Sequence, residues 1–127
     1  MANQYSLSNT ADVAVATAAV ISNNIHDNFQ SLSINEILTL NEQARSLLVQ
    51  ARLLYELESI EISDNVSKSL DALKDATADI EAAIKTIKNV QKIIDISAKV
   101  VVLAASILSE NYAAIPGNVK DIISAVK

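Results

Sequence analysis

Cysteine and tryptophan are absent from this 127-residue chain, and glycine, proline and histidine occur once each. Without cysteine there is no disulfide, thiolate metal site or thiol nucleophile, and redox chemistry says nothing about compartment. The single glycine, Gly117, directly follows the single proline, Pro116. A phosphate-binding glycine loop is therefore excluded, and a hairpin-rich β fold lacks its turn residues. Aromatics make up 3% of the chain: Tyr5, Phe29, Tyr55 and Tyr112. They provide no stacking platform for bases, sugars or flat cofactors; Tyr55 and Tyr112 are read as packing residues. His26 stands beside Asp27, but no His-x-x-Glu or Glu-x-x-His pattern exists. The chain thus lacks the paired histidines of a di-iron bundle, and a general base has no evident partner. His26 is read as a structural or surface residue. No catalytic residues, cofactor or metal are expected, and the role is read as non-enzymatic.

What the chain does contain is aliphatic. Apolar residues make up 50% of it, with a mean hydropathy of +0.27, and nearly all are Ala, Ile, Leu and Val. The length suits one domain, able to bury roughly two thirds of its unfolded surface. Net charge is −5 and uneven: residues 1–81 hold four basic and twelve acidic side chains (−8), whereas 82–127 hold six and three (+3). An acidic chain with only Arg45 and Arg52 as arginines argues against nucleic-acid binding. The N-terminus starts polar and lacks the basic region of a secretory signal. No apolar run reaches the ~18 residues of a spanning helix. The expectation is a cytoplasmic protein.

The most regular stretch is Val66 to Leu108. Val66, Leu70, Leu73, Thr77, Ile80, Ile84, Ile87, Gln91, Ile94, Ala98, Val101, Ala105 and Leu108 follow a four/three spacing without a slip. That spacing predicts one long helix with a single buried seam, near 64–111, continuous or bent near Asn89–Gln91. Thr77 and Gln91 are the polar seam members, either register-setting or placed where the seam meets a loop. The first half carries a polar face (Lys68, Asp71, Lys74, Asp75, Asp79, Glu81, Lys85, Lys88). From Ile93 on the polar face is lost, relieved only by the i,i+4 pair Asp95 and Lys99. A helix apolar on nearly all sides is buried centrally, lies in an oligomer or meets lipid.

Three further helices complete the reading. Residues 1–8 are read as a flexible lead, followed by a helix near 9–31 with an Ala-rich seam: Ala11, Ala14, Ala18, Ile21, Ile25, Asn28, Leu32. Ser33–Ile34–Asn35–Glu36 is a capping box with Leu32 and Ile37 as its staple. It opens a helix near 34–61 whose seam is Ile37, Leu40, Ala44, Leu47, Ala51 and Leu54. Leu38, Leu48, Tyr55 and Leu57 widen that stripe, which implies packing on more than one neighbour. Ser63 or Asp64 caps the third helix, and Pro116–Gly117–Asn118 precedes a short helix near 118–126. Glu56, Glu58, Glu61 and Asp64 crowd one helix end; they lack the glycine and ligand alternation of a calcium loop and are read as solvated. Lys85, Lys88, Lys92 and Lys99 form a row that could face solvent or anionic lipid.

The expected fold is an all-α, up-and-down helical bundle: three main helices, one of them long, plus a short C-terminal helix. The expected function is a protein–protein interaction module that self-associates, or binds another helical protein, through the apolar half of the long helix. Ile94, Val101, Leu103 and Leu108 would make the contacts, flanked by Lys92 and Lys99. The alternative is a membrane-active protein exposing residues 93–108 to lipid. In architecture alone, amphipathic helices around one apolar stretch resemble the layout of helical pore-forming toxins.

Overall fold

A computed structural model describes residues 2–86 and 89–126. The chain is mostly α-helical, with a small antiparallel sheet. In order, it forms β1 (Ala2–Ser6), α1 (Ser8–Asn28), α2 (Ile34–Leu57), β2 (Ser59–Ser63), α3 (Asp64–Asp75), α4 (Thr77–Thr86), α5 (Val90–Leu108) and α6 (Ile115–Ala125). Short 3₁₀ turns occupy Phe29–Ser31 and Tyr112–Ala114.

Local chemistry accounts for most boundaries. Ser33 accepts the Glu36 N–H at 3.1 Å, and the Glu36 carboxylate accepts the Ser33 N–H at 2.8 Å, so two N–H groups at the start of α2 are satisfied reciprocally. Ser63 caps α3 by accepting the Val66 N–H at 3.3 Å. Asn89 caps α5 by accepting the Gln91 N–H at 3.0 Å. Pro116 falls in the first turn of α6 rather than ahead of the helix. There its fixed φ is an asset and its missing N–H costs nothing.

The long helix expected over 64–111 is three helices. Ala76 adopts φ −88°, ψ −2°, off the helical values, and separates α3 from α4. Thr77 directs its hydroxyl back to the Leu73 carbonyl at 3.2 Å, a bond that loosens and bends a helix. The second break comes at Asn89, whose backbone is extended (ψ 107°). Ile87 and Lys88, both named in the sequence reading, lie outside the described residues. The break resets the helical phase. Val66, Leu70, Leu73, Ile80 and Ile84 are buried as the seam predicts, but α5 buries Ile93, Ile96, Val100, Leu103 and Ile107. The four/three register that ran through Ile94, Val101 and Leu108 is thus displaced by about one residue. Thr77 and Gln91 both sit at helix starts.

Two segments read as helix or lead are strands. Residues 2–6 form β1, and 59–63 leave α2 to pair with it, Asn3 opposite Ile62 and Tyr5 opposite Ile60. Ile60 and Ile62 alternate inward between exposed neighbours, the period-two pattern of a strand with one buried face. The Tyr5 hydroxyl donates to Asp71 at 2.8 Å, tying the sheet to α3. Burial, then the Asp71 hydrogen bond, then the charges of Asp71 and Asp75 push the Tyr5 phenol well above its ordinary 10.0. A pKa raised in the folded state means that Tyr5 stabilises the fold fully below pH 10.0 and loses that contribution as pH rises further. Stability of the wild type should therefore fall more steeply above that pH than that of Tyr5→Phe. Denaturant titrations at several alkaline pH values check this, and parallel curves would contradict it.

The core joins α1 and α2 on their predicted seams. Ala11, Ala14, Ala18, Ile21 and Ile25 of α1 are buried, as are Leu40, Ala44, Leu47, Ala51 and Leu54 of α2. Among the described residues, these two helices share the most extensive interface. α2 also packs on α5, and α6 covers both α3 and α5. Asn118 of α6 donates to the Ser106 hydroxyl of α5 at 2.8 Å.

Candidate interaction surface

Two polar bridges fix how α2 meets α5. Gln43 Nε2 donates to the Ile94 carbonyl at 3.3 Å, and Gln50 Nε2 donates to the Val101 carbonyl at 3.1 Å. Both steps are seven residues long and advance together, so the helices run in the same direction. Ser97, fully buried, donates to Gln43 Oε1 and to the Ile94 carbonyl, the latter at 3.0 Å. Gln50 Oε1 is buried without a hydrogen-bond partner. A polar ladder in an apolar seam favours one register over its slipped alternatives. Neither glutamine stands out in the sequence, because each is an ordinary helical residue until α5 is laid beside it.

This packing engages most of the apolar side of α5. Leu103 is core, 1% exposed, and belongs to no surface. Ile94, Val101 and Leu108 are half-buried and packed against the core. Lys99 pairs with Asp95 at 2.7 Å, and Lys92 is exposed. Val102 is the large apolar side chain of α5 that remains outside, 53% exposed. The lysine row is divided by the break before α5. Among the described residues, no helix is long and apolar enough to cross a membrane.

The other expected sites stay apart. His26 is exposed, and among the described residues its ring meets the side chain of Asp27 alone, at 3.4 Å. No group of His, Asp or Glu among the described residues could hold a metal ion, and the acidic end of α2 leads into β2. Tyr55 is half outside the core and donates its hydroxyl to Asp12, which links α2 to α1. That hydrogen bond, more than the slight burial and the Asp12 charge, raises the phenol pKa. Tyr112 packs against the core, and burial, followed by the Glu110 charge, raises its pKa.

The outer face of α2 is where apolar surface collects. Ile34 is 76% exposed and Leu38 61%, and Leu48, Val49, Leu53 and Leu57 are also exposed. Ile34, Leu38, Glu42, Arg45, Val49 and Leu53 follow at four- and three-residue steps, which places them on one side of the helix. Leu40, Ala44, Leu47, Ala51 and Leu54 face the opposite way, into the core. The four apolar members of the outer stripe present on the order of 400 Å² to solvent, in two pairs, Ile34 with Leu38 and Val49 with Leu53, on either side of Glu42 and Arg45. Leu38, Arg45, Leu48 and Val49 line a shallow groove there with Ser22 of α1. Glu42 and Arg45 are exposed, and among the described residues neither joins an ion pair. The breadth of the α2 stripe was visible in the sequence. Within the chain α2 packs on both α1 and α5, and Leu38, Leu48, Tyr55 and Leu57 stay exposed.

No protein family, characterised protein or solved structure matches the chain.

Proposed function

We propose that this chain is a non-enzymatic helical interaction module that self-associates through the outer face of α2. The observation that carries the reading is the stripe from Ile34 to Leu53, apolar at four of six positions and exposed from end to end. At ~25 cal/mol per Å² of apolar area removed from water, covering that stripe completely on two copies is worth up to about 20 kcal/mol, against which stand the lost freedom and side-chain ordering of association. The scaffold behind it is read as an up-and-down arrangement, with α3 and α4 together forming one leg. The apolar half of the once-expected long helix serves this scaffold: α5 spends its largest side chains on α2 and α6, and so leaves α2 to present the contact face.

Sedimentation across a wide concentration range tests the reading. The expected result is a mass that rises from monomer to dimer. A strict monomer at the highest attainable concentration would overturn it.

A further inference from the structure

The outer stripe of α2 has an order that the exposed area alone does not reveal. Read along the helix it is Ile34, Leu38, Glu42, Arg45, Val49, Leu53: apolar, apolar, acid, base, apolar, apolar. Turned end for end about the point between Glu42 and Arg45, the stripe becomes its own complement. Ile34 meets Leu53, Leu38 meets Val49, and Glu42 meets Arg45. A two-fold axis makes every such contact occur twice.

We infer that the occupant of this face is a second copy of the chain, its α2 antiparallel, in the register that sets Glu42 against Arg45 of the other copy. The inference rests on the self-association proposed above and specifies its geometry. The charges select this register from its neighbours. A slip of one helical turn in one direction brings Arg45 opposite Arg45, and a slip in the other brings Glu42 opposite Glu42. Parallel pairing aligns like with like along the whole stripe. Like charges held face to face disfavour those arrangements. In the inferred register both charges leave solvent with a partner of opposite sign, and neither gives up an ion pair within its own chain. The Arg52–Glu56 pair, 3.9 Å apart and largely exposed, flanks Leu53 at the end of the stripe and carries its own compensating charge there.

Charge reversal tests this directly, because both positions are exposed on a helix and tolerate substitution. Glu42→Arg places arginine against arginine at both ends of the axis, and Arg45→Glu places glutamate against glutamate. Each variant alone should weaken self-association by roughly tenfold or more. Two combinations should recover it. An equimolar mixture of the two variants pairs opposite charges again, as a mixed dimer. The double variant Glu42→Arg/Arg45→Glu restores them within a single species. Sedimentation at fixed ionic strength reads all four samples, with circular dichroism showing that each retains its helices. Recovery in both the mixture and the double variant supports the register. Weakening in the single variants without recovery overturns the register while self-association stands, and so do single variants that associate like wild type. A monomeric wild type overturns both proposals.

Discussion

Leu47→Ala should lower stability by about 2–5 kcal/mol, whereas Leu48→Ala, one residue along the same helix, should change it by less than about 0.5 kcal/mol. Leu47 is fully buried on the core side of α2, and Leu48 is 51% exposed on the other. Truncating Leu47 removes three carbons from a packed site and leaves a cavity that the surrounding helices only partly fill. For a chain of this size the loss corresponds to roughly 10 °C in melting temperature. Truncating Leu48 removes a side chain that water already half covers and leaves no enclosed cavity. Thermal and urea unfolding at low protein concentration, where association does not contribute, check the contrast. Equal effects at the two positions would mean that the core side of α2 is misassigned.

Ala18→Leu should cost about 1–3 kcal/mol, and Ala19→Leu close to nothing. Ala18 is 1% exposed, in a row with Ala11 and Ala14 that faces the rest of the core, and Ala19 is exposed. α1 and α2 pack extensively on each other, and small buried side chains in this row and at Ala44 and Ala51 of α2 are the kind that permit a close helix–helix approach. A leucine in the row must displace a helix or leave its rotamer minimum, and a leucine beside it points into solvent. Urea unfolding of the two variants reads the difference. A stable Ala18→Leu would show that the α1–α2 interface has room to spare.

The sequence made the helices legible where short-range rules govern them. The capping box at Ser33–Glu36, the seams of α1 and α2, and the buried residues from Val66 to Ile84 follow from spacing and local hydrogen bonding. The misses came where distant residues decide. β1 is polar at Asn3, Gln4 and Ser6 and carries no strand signal of its own. It is a strand because Ile60 and Ile62, more than fifty positions away, offer it an edge. The alternation around those isoleucines was readable, but it sits at the end of a strong helix, and helical periodicity absorbed it. The long seam ran through the break before α5 because Val90 to Leu108 is apolar on so many sides that a second register, one residue away, fits it equally well. Asn89, extended and capping, chooses between them.

The proposed contact face lies on α2 and not, as the sequence suggested, on the apolar half of α5. Loss of the polar face after Ile93 marks a segment with neighbours on several sides, and α2 and α6 supply them. The breadth of α2 was legible from Leu38, Leu48, Tyr55 and Leu57; the exposure of Ile34, Val49 and Leu53 beside them emerges only in the structure.

Sedimentation of Val49→Glu beside Val102→Glu tests that proposed placement most directly. Both valines are about half exposed, 48% and 53%, one on α2 and one on α5, so either charge can be carried without entering the core. With α2 as the contact face, Val49→Glu stays monomeric at concentrations where wild type and Val102→Glu associate. Dissociation by Val102→Glu, with Val49→Glu unaffected, would contradict the account and return the interface to α5.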